Sequence, residues 1–152
     1  MEIERKYLVK EIPNNLNNFE SAAISQSYIS TDPTIRLRKS NDDYILTMKG
    51  KGNIAREEYE LKITKEQYEK LLLKTEDYII CKTRYFIPIK SGLVAELDIF
   101  HERLNGLVTV EVEFASLEEP ENFVAPSWFG EDVSKDKKYK NSFLSKLEKW
   151  ES

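Results

Sequence analysis

A single cysteine and a single histidine are present in this chain of 152 residues. The lone cysteine excludes an internal disulfide and a multi-cysteine zinc site, and the lone histidine argues against an all-nitrogen transition-metal site. No apolar run approaches the length of a membrane span, and the N-terminus lacks the apolar core of a signal peptide. We therefore expect a cytoplasmic protein with no membrane partner.

The chain also has no large excess of positive or negative charge. Charged residues make up 33% of the chain and hydrophobic residues 40%, but the formal net charge is only −4. That balance gives no general attraction toward nucleic acid or anionic membranes, so any anion site must come from a local arrangement. The length is that of one ordinary domain, and we assign residues 1–152 to it.

Most of the chain alternates between polar and apolar residues, the pattern of half-buried β-strands. Eight segments show it: Glu2–Val9, Ile24–Thr31, Thr34–Lys39, Tyr44–Lys49, Arg56–Ile63, Ile79–Lys90, Leu93–Arg103 and Leu107–Phe114. Helices are predicted over Tyr68–Lys74, behind a capping box that begins at Thr64, over Asn141–Trp150 and within Pro13–Ala23. These elements predict an α+β fold that is mainly antiparallel β, an eight-stranded closed β-barrel (a tunnel) with flanking helices.

Charged residues collect on one face of strand after strand. Because side chains alternate along a strand, Glu2, Glu4 and Lys6 share a face at a spacing of roughly 7 Å, opposite Ile3 and Tyr7. The same parity places together Arg36 and Arg38, then Lys49, then Arg56, Glu58 and Glu60, then Lys82 and Arg84, then Glu96 and Asp98, then Glu111 and Glu113. The rows hold seven cations and eight carboxylates, which nearly balance.

Two arrangements produce such rows. In one, the apolar faces form the core and the ionic faces meet water; in the other, the ionic faces line the barrel and the apolar faces lie under helices. Adjacent like charges favour the second arrangement, since two cations about 7 Å apart repel by roughly 2 kcal/mol at an effective dielectric near 20, and a bound anion relieves that cost. Parity alone leaves both arrangements open.

The order of the charged patterns resembles that of the triphosphate tunnel metalloenzymes, the CYTH superfamily, and its small bacterial triphosphatases. The similarity covers the opening Glu-x-Glu-x-Lys, the Arg-x-Arg, the lysine that ends the next strand, the Arg-x-Glu-x-Glu, the Lys-x-Arg, the Glu-x-Asp and the late Glu-x-Glu. The segment from Asp132 to Asn141 resembles the closing element of the family, with Lys138 as the last phosphate contact and Lys137 as its alternative.

This resemblance implies metal-dependent hydrolysis of a phosphoanhydride bond in a bound triphosphate, with Mg²⁺ or Mn²⁺ as cofactor. It implies that the substrate is held by Lys6, Arg36, Arg38, Lys49, Arg56, Lys82, Arg84 and Lys138. The implied metal ligands are Glu2, Glu4, Glu58, Glu60, Glu96, Asp98, Glu111 and Glu113, and the implied catalytic group is Glu2, Glu4, Lys6, Glu111 and Glu113. Carboxylate oxygens are hard ligands suited to these cations, and arginine offers forked donors to phosphate.

Inorganic tripolyphosphate is the expected substrate, because the short chain shows no extra pocket for a nucleobase. Adenylyl cyclase, thiamine triphosphatase and nucleoside triphosphatase activities stay open, as does a non-catalytic polyphosphate-binding module. A module would need the cations but not the carboxylates, so the acidic pairs argue against it. We expect a small-molecule partner and no nucleic acid, and the sequence leaves a homodimer open.

Overall fold

The computed structural model describes residues 2–52, 54–75 and 77–151. Its strands are β1 (Glu2–Val9), β2 (Glu20–Thr31), β3 (Thr34–Ser40), β4 (Asp43–Lys49), β5 (Ala55–Arg56), β6 (Glu58–Ile63), β7 (Ile80–Pro88), β8 (Val94–Phe100), β9 (Val108–Glu113) and β10 (Phe129–Asp132). The α-helices are α1 (Lys65–Leu72), α2 (Glu119–Asn122) and α3 (Asn141–Leu144), and short 3₁₀ turns lie at Leu16–Asn18, Lys90–Gly92, Glu102–Leu104 and Lys137–Tyr139.

The strands form a nearly closed antiparallel barrel. Their order in the sheet is β10-β1-β9-β8-β7-β2-β3-β4-β6. Closure comes from β5 and β6, which are one stretch of chain interrupted at Glu57: β6 pairs with β4, while β5 pairs with β1 through Arg56 opposite Glu2 and Ala55 opposite Ile3. The predicted barrel is therefore confirmed, with the short strand β10 as an addition along the edge of β1.

One helix prediction is wrong, and a second is right in its start but too long. Within Pro13–Ala23 the chain forms only a 3₁₀ turn and then enters β2 at Glu20, because backbone pairing with β7 begins there, at Phe86. The helix predicted over Asn141–Trp150 ends at Leu144, and the chain is then drawn away toward Arg103, whose carbonyl accepts a hydrogen bond from the Trp150 amide at 2.9 Å. In both segments tertiary pairing overrides the local apolar spacing.

The predicted capping box at the start of α1 is confirmed. The Gln67 amide donates to the Thr64 hydroxyl at 3.1 Å, and the Thr64 amide donates to the Gln67 side chain at 2.9 Å. Tyr68 is buried on the inner side of the helix, with its ring 5.0 Å from that of Tyr44 on β4. This contact holds α1 against the outside of the barrel.

The main apolar core lies on the outside of the barrel wall. Leu97, Val110 and Val112 are fully buried there, and the rings of Phe123 and Phe129 from the C-terminal half of the chain pack over them. The ionic faces consequently point inward, which decides between the two arrangements that parity allowed. None of the helices in the described parts of the chain has the length and apolar character needed to cross a bilayer.

A second apolar cluster covers one end of the barrel. Tyr28, Ile80 and Phe100 belong to strands of the wall, and Leu144 from the C-terminal segment packs onto them in a fully buried position. We use "C-terminal segment" for residues 133–151. Its packing at this end brings residues of the segment, Tyr139 among them, to the mouth of the barrel interior.

Candidate active site

The barrel encloses a cavity of about 340 Å³, which we call the central cavity. It is lined by seven cationic residues, Lys6, Arg36, Arg38, Lys49, Arg56, Arg84 and Lys140. It is also lined by seven acidic residues, Glu2, Glu4, Glu58, Glu60, Glu96, Glu111 and Glu113. The structure thus brings thirteen of the residues expected from the sequence into one enclosed space and adds Lys140 to them.

Strand register explains how the acidic residues meet. Glu4 on β1 lies opposite Glu113 on β9, and Lys6 lies opposite Glu111. On the other side of β9, Glu111 lies opposite Glu96 on β8. Residues opposite one another in a ladder share a face, so three neighbouring strands present these carboxylates to the same side of the cavity. We call this side the acidic wall.

Glu2 is held by two cations and a second carboxyl group. Lys49 Nζ lies 2.9 Å from Glu2 Oε1, and Arg56 Nε lies 3.4 Å from the same oxygen. Burial opposes ionisation of Glu2, but a hydrogen bond from Glu58 and the charge of Lys49 outweigh it and lower the pKa to about 2. Burial and the same hydrogen bond raise the pKa of Glu58 to about 7. Glu2 and Glu58 together therefore carry one proton between about pH 2 and about pH 7.

Lys6 connects the acidic wall to the C-terminal segment. Its Nζ lies 3.1 Å from Glu111 Oε1 and donates to the Tyr139 carbonyl at 2.9 Å. Burial favours the neutral amine, but the charges of Glu111 and Glu4 outweigh it and raise the pKa of Lys6. Lys6 is thus a fixed positive charge at the centre of the acidic wall.

Negative charge is in local excess around Glu4. Burial, then the charge of Glu111, then that of Glu2 raise the pKa of Glu4 to about 8. The pKa of the more exposed Glu113 is raised as well, by burial first, then by the charge of Glu2 and then by that of Glu111. This part of the wall therefore favours either a proton or a bound cation.

Positive charge is in local excess around β3. Arg36 Nη2 donates to the Thr47 hydroxyl at 3.2 Å, and Arg38 Nε donates to the Gln26 side-chain oxygen at 2.9 Å. Among the residues that the structure describes, no carboxylate forms an ion pair with either arginine, and the buried Nε of Arg36 has no hydrogen-bond partner. Burial, then the charges of Arg36 and Arg84, lower the pKa of Arg38 to about 9.

Lys82 and Asp98 lie beneath the cavity wall and do not line it. Each is 1% exposed, and Lys82 Nζ lies 2.8 Å from Asp98 Oδ2. Asp98 in turn accepts two hydrogen bonds from Arg84, which reaches the cavity and also contacts Glu96 at 3.1 Å. The resemblance implied that Lys82 contacts phosphate and that Asp98 binds metal. In the structure, the pair instead lies where it orients Arg84.

The structure does not bring Lys138 to the central cavity. Its ammonium lies 5.1 Å from the centre of the Trp150 ring and 5.6 Å from that of Tyr139. Lys140, two residues later, lines the cavity instead. Sequence reasoning missed Lys140 because this segment is not a strand, so no alternation of faces distinguishes one lysine from the next.

The sequence profile of the CYTH domain matches residues 1–140. The chain belongs to the CYTH domain family. An inorganic triphosphatase of Nitrosomonas europaea is 40% identical over 148 residues, which cover 95% of this chain and 96% of that protein. An inorganic triphosphatase of Acetivibrio thermocellus is 35% identical over 153 residues, covering 95% and 93%. The crystal structure of an inorganic triphosphatase matches with a TM-score of 0.70 at 38% identity, covering 95% of this chain and 94% of that one.

Membership of the CYTH family implies a divalent cation, and the acidic wall has suitable chemistry for one. Carboxylate oxygens are hard ligands, and the repulsion that raises the pKa of Glu4 is what a bound cation would relieve. Within the described residues, no three carboxylates already converge as a finished cation site. Glu2 and Glu111 are instead paired with Lys49 and Lys6.

Proposed function

We propose that this protein hydrolyses a phosphoanhydride bond of a triphosphate bound in the central cavity, with inorganic tripolyphosphate as substrate and Mg²⁺ or Mn²⁺ as cofactor. The observation that carries the proposal is that one cavity contains a local excess of charge of each sign. Arg36 and Arg38 lack acidic partners among the described residues, while Glu4 lines the same cavity, where burial and neighbouring carboxylates raise its pKa. A polyanion bound with a divalent cation satisfies both sides, and the inorganic triphosphatases among the relatives support this assignment.

The cationic side chains would hold the substrate. Arg36 and Arg38 offer forked donors that match phosphate oxygens. The remaining cations proposed for substrate contact are Lys6, Lys49, Arg56, Arg84 and Lys140. Because they come from several strands and the C-terminal segment, they surround the bound chain of phosphates and stabilise the charge that spreads onto the transferred group.

The acidic wall would hold the cation. Glu2, Glu4, Glu111 and Glu113 are the proposed ligands, with Glu58, Glu60 and Glu96 as further ligands or as partners that orient them. A cation held by these residues would supply Lewis-acid chemistry, stabilising negative charge on the phosphate and lowering the pKa of a bound water. Lys6 lies against Glu111, where it would orient that carboxylate and contact the phosphate at once. This scheme needs no covalent nucleophile.

The lining of the cavity favours an inorganic substrate. Fourteen of its twenty-two lining residues are charged. A nucleobase or a thiamine ring is bound chiefly by apolar and aromatic surface, with only a few polar groups to orient it. A substrate composed of phosphates alone makes better use of these side chains, which is why we propose tripolyphosphate over ATP or thiamine triphosphate.

Phosphate release tests the proposed function directly. We expect the purified protein to release phosphate from tripolyphosphate with Mg²⁺ or Mn²⁺ and not with EDTA, to act less well on ATP and thiamine triphosphate, and to make no cyclic AMP from ATP. Glu4→Gln should abolish turnover while tripolyphosphate still binds, since the change removes a ligand of the cation and no cation of the substrate site. Glu57→Gln, at an exposed position on the same barrel, is the matched control.

Two results would overturn the proposal. Full activity of Glu4→Gln at ordinary Mg²⁺ would remove the acidic wall from the reaction. Tight binding of polyphosphate with no release from any substrate would indicate a binding module. The cytoplasmic location remains a prediction, which fractionation would test. The sequence leaves a homodimer open, and light scattering of the purified protein would give its oligomeric state.

A further inference from the structure

Two arginines of the central cavity are held by uncharged side chains. Arg38 Nε donates to the side-chain oxygen of Gln26 at 2.9 Å, and Arg36 Nη2 donates to the Thr47 hydroxyl at 3.2 Å. Gln26 and Thr47 are both fully buried. Each arginine is thus held by a hydrogen bond that leaves its positive charge unbalanced.

Strand register places Gln26 beside Arg38. Gln26 on β2 lies directly opposite Arg38 on β3, so the two side chains share one face of the sheet. Arg38 lines the central cavity and Gln26 does not. Because a guanidinium N–H can only donate, the atom of Gln26 that meets Arg38 is the amide oxygen, and the amide nitrogen is the group left over.

The amide nitrogen of Gln26 carries a cost in stability. It is buried and has no hydrogen-bond partner among the residues that the structure describes. A buried donor without a partner destabilises the folded state. Glutamate has nearly the same shape, accepts the same hydrogen bond and has no donor to leave unpaired when it is ionised.

A carboxylate at position 26 would also relieve repulsion. The charges of Arg36 and Arg84 act against that of Arg38, so a negative charge at this place would lie in a region of cationic excess. Burial of a carboxylate is costly when it is unpaired, but here it would meet a cation directly. Stability alone therefore favours glutamate over the glutamine that is present.

Arg84 shows the consequence of a carboxylate partner. It meets Asp98 through hydrogen bonds of 2.8 and 2.9 Å and contacts Glu96 at 3.1 Å. A phosphate must compete with these carboxylates for the charge of Arg84. At Arg38 it meets no such competition, since the partner there is neutral.

We propose that Gln26 is a positioning residue for triphosphate binding, which fixes Arg38 through Nε and, being uncharged, leaves the charge of Arg38 to the bound anion. This inference rests on the proposed function. Anchoring at Nε leaves the two Nη groups of the guanidinium as a fork that matches two phosphate oxygens. Gln26 therefore acts on the anion through Arg38.

The first test separates affinity from stability. Gln26→Glu should raise the dissociation constant of tripolyphosphate about tenfold, measured by calorimetry in EDTA, because the anion then competes with a carboxylate for Arg38. The same change should raise the urea concentration at which the anion-free protein unfolds. Asn14→Asp, which adds one negative charge at an exposed position outside the central cavity, is the matched control and should change neither quantity.

The second test asks whether Gln26 acts through Arg38. Gln26→Leu removes the acceptor without adding charge, and it should raise the dissociation constant about fivefold. Added to Arg38→Ala, the same change should alter the dissociation constant less than about twofold, since the group that Gln26 positions is then absent. Circular dichroism checks that each variant folds.

The opposite responses of affinity and stability distinguish positioning from a purely structural role, in which both would fall together. An unchanged affinity in Gln26→Glu or in Gln26→Leu would overturn the proposal, as would a Gln26→Glu protein less stable than the wild type. An equal loss from Gln26→Leu with and without Arg38 would show that Gln26 does not act through this arginine. An effect of Asn14→Asp as large as that of Gln26→Glu would reduce the result to net charge.

Failure of the proposed function gives a different result. If the wild-type protein binds tripolyphosphate and releases no phosphate with Mg²⁺ or Mn²⁺, hydrolysis is excluded, and the binding measurements still decide the role of Gln26. If the wild-type protein does not bind tripolyphosphate, both proposals are wrong.

Discussion

Arg84 and Asp98 meet through two parallel hydrogen bonds of 2.8 and 2.9 Å across the β7–β8 ladder, in the buried wall of the barrel. Lys82 donates a third hydrogen bond to the same carboxylate. Burial disfavours the charge of Asp98, but Arg84 and then Lys82 outweigh it and lower its pKa. Asp98 is thus the counter-charge that allows two cations to sit inside the barrel wall.

Asp98→Asn should destabilise the protein strongly. The change leaves the buried Lys82 without its counter-charge and removes the bidentate partner of Arg84, which keeps its contacts with Glu96 and Glu111. Breaking a buried ion pair by removing one partner costs about 3–5 kcal/mol. We expect a loss of that order in the free energy of unfolding, measured with urea in EDTA. Glu96→Gln is the control, because Glu96 contacts the same arginine at 3.1 Å from a more exposed position. Equal losses in the two variants would contradict the structural role of Asp98.

Arg38→Ala should weaken triphosphate binding. A hydrogen bond to a charged group is worth about 1.5–3 kcal/mol, so the dissociation constant of tripolyphosphate should rise about ten- to a hundredfold. Calorimetry in EDTA measures this without turnover. The free energy of unfolding should change by less than about 1 kcal/mol, because the loss of the bond to Gln26 is offset by less repulsion from Arg36.

Lys39→Ala is the matched control for this prediction. Lys39 is the next residue on β3 and faces the outside of the barrel, with its ammonium 5.9 Å from the Tyr44 ring. Its removal should leave the affinity for tripolyphosphate unchanged. An unaltered affinity in Arg38→Ala as well would remove Arg38 from the binding site.

The stability of the cation-free protein should fall as the pH rises from about pH 5 to about pH 7. Burial, followed by neighbouring carboxyls, raises the pKa of Glu4 to about 8 and that of Glu58 to about 7. Above the ordinary pKa of glutamate, the folded protein therefore binds these protons more tightly than the unfolded chain does, and that advantage is lost as the pH approaches the folded-state values. The pKa of Glu2 is lowered to about 2, so Glu2 is ionised in the folded protein over this whole pH range and does not contribute to the fall in stability.

Urea unfolding in EDTA at the two ends of this pH range measures the effect. Glu4→Gln should flatten the dependence, since glutamine does not titrate, and Mg²⁺ should stabilise the wild-type protein more at the higher pH, where it no longer competes with the proton. A free energy of unfolding that rises over this range would mean that these carboxyls are ionised in the folded protein.

Much of the fold could be predicted from the alternation of polar and apolar residues along the strands. In β1, β3 and β9 one face is ionic and the other apolar, so alternation located the strands to within a residue or two. Parity could not say which face points inward, because either face forms a consistent surface. That answer depends on the residues that pack over the apolar face from outside the barrel, Phe123 and Phe129 among them, which are distant in sequence and which no local pattern encodes.

The remaining differences arise where neighbours, and not parity, position a side chain. Lys82 and Arg84 share a face, yet Lys82 lies beneath the wall because its neighbour Asp98 draws it there, while Arg84 is long enough to reach the cavity. Gln26 and Thr47, the neutral partners of the β3 arginines, become visible only once the strand register is known. Such contacts depend on the assembled barrel.

Lys138, within the 3₁₀ turn Lys137–Tyr139, and Lys140, the residue after that turn, provide a direct comparison of sequence and structure. Lys140 lines the central cavity, whereas the Lys138 ammonium packs against the Trp150 ring at 5.1 Å. We expect Lys140→Ala to raise KM for tripolyphosphate about tenfold and Lys138→Ala to change it less than about twofold, measured by steady-state phosphate release with Mg²⁺. Both changes remove one positive charge, so equal effects would show that only net charge matters. A larger effect at Lys138 would reverse the assignment and return the phosphate contact to the residue that the sequence motif indicates.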